Sequence, residues 1–169
     1  MPDATGLELL AGELRDQRAD GVLETVHHRG QATIVVAPDY VRDALTHLTG
    51  KGYSFLASVH GVDYFPEEPR LGVHYELLDM RAVDRVRLKT RVDTGSPHVA
   101  TVVDMFPTAN HQEREVYDMF GVVFDGHPDM RRILMPEDYE GHPQRRDFPI
   151  GGEPVLYTHN EPRMPAWWK

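Results

Sequence analysis

The sequence predicts an α+β domain, an antiparallel or mixed sheet with helices packed on one face, that runs into an extended C-terminal strap. Three observations carry this. Stretches of helical period and of period two follow one another in the order helix, strands, helix, three or four strands, helix. One strand, Arg85 to Val92, alternates strictly, with Val86, Leu88, Thr90 and Val92 on one side and Arg85, Arg87, Lys89 and Arg91 on the other. That is the pattern of a sheet packed on one face and wet on the other. Beyond Gly121 no period survives and prolines recur. The expected division is an α+β domain over residues 1–124 and an extended, proline-rich tail over residues 125–169.

The elements follow in order. Leu7, Leu10 and Leu14 lie at helical spacing within Gly6 to Arg18. Gly21 to His28 reads as a strand, Gly30 as a turn, and the β-branched run Gln31 to Ala37 as a second strand. Pro38-Asp39 opens a helix over Tyr40 to Thr49, with Val41, Ala44, Leu45 and Leu48 on one face, and Gly50-Lys51-Gly52 ends it. Strands are expected at Tyr53 to Tyr64, at Leu71 to Asp79 after a loop with Pro66 and Pro69, at Arg85 to Val92, and at His98 to Met105.

The next helix organises the chain. Thr108 or Asn110 can cap its N-terminus through a side-chain oxygen. With Asn110 as cap, Glu113 falls where a capping-box acid sits. Gly121 ends the helix, since a residue without Cβ takes the left-handed conformation readily. Ala109, Glu113, Val116, Tyr117 and Phe120 share one face, and Arg114 and Asp118 share another at i,i+4 spacing, where they can pair. Glu113 is therefore a carboxylate on an apolar face. It is either a first-turn acid that favours the helix dipole or a buried charge paired with a strap arginine, from among Arg131, Arg132, Arg145 and Arg146. On the second reading Glu113→Gln loosens the strap.

In the strap, short apolar groups (Val122-Val123-Phe124, Ile133-Leu134-Met135, Phe148-Pro149-Ile150) alternate with turn signals such as Asp125-Gly126, His127-Pro128 and His142-Pro143. Such a segment must pack on another surface, its own domain or a partner's. The Arg131-Arg132 and Arg145-Arg146 pairs supply the bidentate donors favoured at interfaces. After Gly151-Gly152 the chain carries Pro154, Pro162 and Pro165 and ends Ala166-Trp167-Trp168-Lys169. Two indoles in a tail read as anchors for a partner surface, with tucking back on the home domain as the alternative.

Composition narrows the classes of function. A chain of 169 residues with 40% apolar content suits one domain with a tail. A net charge of −9 argues against nucleic acid. The absence of cysteine removes disulfides, thiolate catalysis and cysteine-ligated iron–sulfur or zinc sites. Met1 to Asp20 lacks the layout of a signal peptide, and no stretch has the ~20 apolar residues of a membrane span. Ten histidines invite a metal reading, but none has helical ligand spacing, so no metal is expected. Nucleotide-binding glycine loops and the serine-nucleophile motif are also missing. Asp118, His127 and Arg131 form the one conceivable acid–base set, a stand-alone enzyme reading that ranks below an interface.

The stretch from Glu113 to Pro149 carries a resemblance. Glu113-Arg114-Glu115 with Asp118-Met119-Phe120-Gly121, then Gly126-His127-Pro128 with Arg131-Arg132-Ile133-Leu134, then Asp138-Tyr139-Glu140-Gly141-His142-Pro143 and Arg145-Arg146-Asp147-Phe148-Pro149, stand in linked order. Together they resemble the 30-kDa (C-type) subunit of respiratory NADH:quinone oxidoreductase (complex I). Asn110-His111-Gln112 is more polar than the start of this helix in many members, and Arg145-Arg146 stands where Arg-Lys is common. The resemblance implies a peripheral-arm subunit without a redox centre, which positions and assembles the quinone-site module. Its implied partners are the quinone-pocket (49-kDa, D-type) subunit, the terminal iron–sulfur cluster (B-type) subunit and other peripheral-arm subunits. FMN, iron–sulfur clusters and quinone are expected on those subunits, and the chain at the cytoplasmic face of the cell membrane. The signature residues, with Trp167 and Trp168, are then interface residues. Close relatives serve membrane-bound hydrogenases and ferredoxin- or deazaflavin-dependent quinone reductases, which stay open as alternatives.

Overall fold

A computed structural model describes residues 3–149 of the chain. Helix α1 (Ala4–Gln17) begins at Asp3, whose carboxylate accepts from the Gly6 amide at 2.7 Å, and buries Leu7, Ala11 and Leu14. Strands β1 (Val22–His28) and β2 (Gln31–Val36) pair antiparallel across the Arg29-Gly30 turn. A 3-10 turn at Pro38–Tyr40 leads into α2 (Val41–Gly50), which buries Val41, Ala44, Leu45 and Leu48 as its spacing requires. The strands β3 (Phe55–Asp63), β4 (Leu71–Asp79) and β5 (Asp84–Val92) form an antiparallel meander. β5 then pairs with β2 in parallel, so the sheet is mixed, in the order β1-β2-β5-β4-β3.

Cross-strand register sorts the side chains onto two faces. Tyr75 opposes Leu88, Val73 opposes Thr90 and Leu77 opposes Val86, while Val59 opposes Tyr75 from β3. These residues are buried in one core with Ile34 and Val36 and with the inner faces of the helices. The alternation in β5 thus gives the face it predicts: Val86, Leu88, Thr90 and Val92 are buried. Arg85, Arg87, Lys89 and Arg91 lie on the opposite face, which no helix among the described residues covers. None of the described helices is long and apolar enough to cross a membrane.

The strand expected over His98 to Met105 is much shorter. Only β6 (His98–Ala100) is extended, and it pairs in parallel with β7 (Val123–Asp125). The Val102 carbonyl accepts from the amides of Met105 (3.0 Å) and Phe106 (2.8 Å), closing a turn instead. The Val102 amide goes to the Glu113 carboxylate, so no partner strand can use it.

That turn feeds α3 (Ala109–Phe120), which packs against β3. Thr108 stands at the N-cap but makes no side-chain bond there, and Asn110 already lies within the helix, so neither expected cap forms. The Gln112 side-chain carbonyl accepts from the Val59 amide at 2.7 Å and ties α3 to the sheet edge. Phe120 lies directly over Gly61. A Cβ at Gly61 would meet the Phe120 ring at 2.3 Å. Gly61→Ala should therefore overpack this contact and lower stability by about 1–3 kcal/mol. The shift of the urea midpoint of the purified chain measures it.

Candidate functional site

The candidate site is α3 together with the strap that returns across it. At its first turns, Glu113 is fully buried. Its carboxylate accepts from the Val102 amide at 2.8 Å and from the Thr101 hydroxyl at 2.5 Å. No strap arginine reaches it among the described residues, which corrects that expectation. The local chain supplies the partners instead, because the turn after β6 aims a donor pair straight at the helix. Burial pushes the Glu113 carboxyl up to about 7, against the Thr101, Val102 and Arg42 interactions that hold it down and with Asp104 opposing them. Arg42 itself forks to Asp104 at 2.7 and 2.6 Å and also donates to the Thr101 carbonyl. His127 of the strap comes close to this carboxylate, with its Nε2 3.9 Å away. That nitrogen donates to the Asn110 carbonyl at 3.2 Å, and Nδ1 accepts from the Asp129 amide at 3.0 Å.

The last turn of α3 is where the strap takes hold. A helix leaves its final carbonyls without intrahelical partners. Here the strap supplies them. The Asp118 carbonyl accepts from His142 Nδ1 at 3.0 Å and from Arg132 at 3.3 Å, the Met119 carbonyl from the Gln144 amide at 3.1 Å, and the Phe120 carbonyl from Arg145 Nε at 2.6 Å. Cationic donors at this end also complement the helix dipole. Gly121 follows at φ +76, the left-handed conformation expected of it. A Cβ there would also meet His142 at 2.5 Å and Arg145 at 2.6 Å, so glycine is required twice over.

Asp118 is the second grip. Its side chain is fully buried, one oxygen facing Arg132 at 2.6 Å and the other accepting from the amides of Ile133, Leu134 and Met135 at 2.8–3.0 Å. Burial pushes this carboxyl up, but the Met135 amide, Arg132 and the other two amides outweigh it and leave it below the usual range. The i,i+4 pair with Arg114 does not form. Arg114 instead donates to the carbonyls of Arg131 (3.0 Å) and Arg132 (2.9 Å). Tyr117 is only half-buried and sets its ring edge-on to His142. Further along, Arg132 also donates to the Gly141 carbonyl, and Phe148 stacks on Tyr139 over Gly141.

A third anchor gave no sequence signal. Arg70, buried in the loop after Pro69, forks to Asp63 of β3 and to Asp147 of the strap, with contacts of 2.6–2.7 Å. Arg70 holds the Asp63 carboxyl well below the usual range. The Arg146 amide adds a bond to Asp63 at 2.7 Å and its guanidinium reaches the Phe65 carbonyl. Ile133, Leu134, Pro128, Pro149, Glu115 and Arg131 are all exposed, and Pro143 is half-buried. Arg131 forms its ion pair with its neighbour Asp129. Asp118, His127 and Arg131 make no hydrogen bonds to one another among the described residues and are each held by other partners. Ile150, Trp167 and Trp168 lie outside the described residues.

Asp118→Asn removes the charge that holds Arg132 and should cost about 3–5 kcal/mol, as for a broken buried pair. It should also open residues 131–143 to limited proteolysis, read by mass spectrometry of the fragments. Glu113 gives a pH signature of definite sign. Its folded carboxyl is raised, so its contribution is full below pH 4.5 and is lost as pH rises through about 7. The stability difference between the native chain and Glu113→Gln, from urea melts at a series of pH values, should fall across that window.

The family described as respiratory-chain NADH dehydrogenase, 30 Kd subunit, matches residues 34–154. The C-type subunit of NADH-quinone oxidoreductase from Saccharopolyspora erythraea is 48% identical over 162 residues, 94% of this chain. The chain spans 65% of that relative's length. The C-type subunit from Roseiflexus sp. (strain RS-1) is 40% identical over 169 residues, which cover 98% of this chain and 95% of the relative. Among solved structures, the trypsin-resistant fragment (1-134) of Nqo5 superposes with a TM-score of 0.63 at 32% identity, over 73% of this chain and 98% of the fragment. A chain of the membrane-bound sulfane sulfur reductase, an archaeal respiratory membrane complex, gives 0.70 at 26% identity over 85% of each. The chain belongs to the 30-kDa subunit family of respiratory-chain NADH dehydrogenase.

Proposed function

We propose that this chain is a structural subunit of the peripheral arm of a proton-pumping NADH:quinone oxidoreductase, where it positions and assembles the module that holds the quinone site and the terminal iron–sulfur cluster. The observation that supports this best is the strap. Arg132, His142 and Arg145 turn inward to the end of α3 and Asp147 to Arg70, while Ile133 and Leu134 stay exposed on a backbone that three amide bonds to Asp118 hold in place. An apolar pair on a fixed backbone suits a permanent interface, because little ordering entropy is left to lose on binding. Residues 1–124 serve as the body and residues 125–169 as the arm that docks on the quinone-pocket (D-type) and cluster-bearing (B-type) subunits. FMN, clusters and quinone belong to those and other subunits. The complex lies at the cytoplasmic face of the cell membrane.

A second reading has its own support. The likeness to a chain of the archaeal sulfane sulfur reductase covers 85% of this chain. An equivalent place in a related membrane-bound complex with a different electron donor is therefore the alternative. The same experiment separates the two. The tagged chain is purified from mildly solubilised membranes and its companions are identified by mass spectrometry. Recovery with a flavin-containing, NADH-oxidising module and a quinone-pocket subunit is the expected result. Recovery with a nickel-bearing or ferredoxin-dependent module keeps the structural role and changes the donor. Recovery alone overturns both. A chain cut after Asp125 should bring down no other polypeptide, and its recovery with the same companions as the full chain would contradict the docking role of the strap.

A further inference from the structure

The geometry points to a second interaction surface, on the helix-free face of the sheet: a docking site for an acidic segment of a partner protein, whose carboxylates are received by Lys89, Arg91 and His74. It rests on the reading that the chain works within a multi-subunit assembly, and it concerns a face remote in sequence from the strap signature.

The face is built by register. His74 opposes Lys89, Gly72 opposes Arg91 and Glu76 opposes Arg87, all pointing away from the core. Tyr64 folds over this face, with the Lys89 ammonium 4.3 Å and the Arg91 guanidinium 4.4 Å from its ring centroid. A cavity of about 200 Å³ opens beside it, walled by Val26 and Val35 on one side and by Tyr64, His74 and Lys89 on the other. It is large enough for a single side chain.

Several donors here are left over. Arg87 is taken up by Glu76. Among the described residues Lys89 has no carboxylate partner, and Arg91 reaches only Glu67, at 3.6 Å. The Nε and one Nη of Arg91 are buried with no hydrogen-bond partner among the described residues, and so is Nδ1 of His74, a residue only 6% exposed. The Tyr64 hydroxyl bonds His74 Nε2 at 2.9 Å. With that hydroxyl donating, Nδ1 carries the imidazole proton. Burial pulls the ring down to about 3, so it stays a neutral donor. Buried donors without acceptors are costly, and a carboxylate that docks at Lys89 and displaces the Tyr64 ring covering this face would reach them.

The charge balance selects the partner class. The chain as a whole carries −9, yet this face presents Arg85, Arg87, Lys89 and Arg91 against Glu24, Glu67 and Glu76. That is too mixed a field for a membrane surface or a nucleic acid, which need uninterrupted basic clusters. A protein segment with one or two placed carboxylates needs only matched contacts.

Carbodiimide crosslinking tests this, because it joins an amine to a carboxylate only where the two touch. The chain has three lysines, Lys51, Lys89 and Lys169. Lys51 lies 2.6 Å from Glu13 and reports within the chain that the reagent works and the fold is intact. In the complex purified from membranes, Lys89 should crosslink to an Asp or Glu of another polypeptide, and that product should vanish in Lys89→Gln while the Lys51–Glu13 product remains. Lys89 should also resist amine acetylation in the complex and react in the isolated chain. Three results overturn the proposal. Lys89 acetylated equally in both states leaves the face uncovered. Protection without a crosslink means a cover that is not acidic. A crosslink to Glu153 or Glu161 means that the chain's own tail fills the site. Recovery of the chain with no other polypeptide instead removes the assembly reading itself.

Discussion

The C-terminal carbonyls of one helix govern how this chain is arranged. An α-helix must hand its last carbonyls to something, and α3 hands those of Asp118, Met119 and Phe120 to the strap. Those bonds fix the strap at Arg132 and on its return at His142, Gln144 and Arg145. Between them Asp118 holds the backbone at Ile133 to Met135. Gly121 lets the chain leave the helix and His142 and Arg145 approach it. The strap thus behaves as the cap of α3 as much as a tail.

This arrangement separates the two acids of the helix. Glu113 and Asp118 are both fully buried, yet burial raises one carboxyl while hydrogen bonds and a cation keep the other low. The difference lies in donor number. Glu113 meets one amide and one hydroxyl, whereas Asp118 meets three amides and a guanidinium. Glu113 joins the helix to the turn after β6 inside the body. Asp118 joins the helix to the strap. Only the second bears directly on a surface open to another polypeptide, and the family to which the chain belongs is one of subunits.

The sheet was legible because its signals are local. Alternation in β5 sorted its own side chains, and Pro38 and Gly121 marked helix ends at the positions observed. The site was legible only in outline. The apolar neighbours of Glu113 left burial as one of two readings, and its partners Thr101 and Val102 sit in a segment whose β-branched residues read as strand. Arg114 and Asp118 have ideal spacing for a pair, yet each finds better-placed partners in the strap, where backbone groups need satisfying. Arg70 lies just after a proline in a loop without period, and its partners Asp63 and Asp147 share no sequence pattern with it. Nothing short of the fold brings those three together.

The most direct measurement is amide hydrogen exchange at Ile133, Leu134 and Met135 in the isolated full chain. These residues lie in a segment without regular secondary structure, and the first two are exposed. Bonds to the buried Asp118 carboxylate should slow their exchange far below that of neighbouring strap amides such as Glu137 and Asp138. Exchange of all three at the rate of an unprotected chain would contradict the view that α3 holds the strap before any partner arrives.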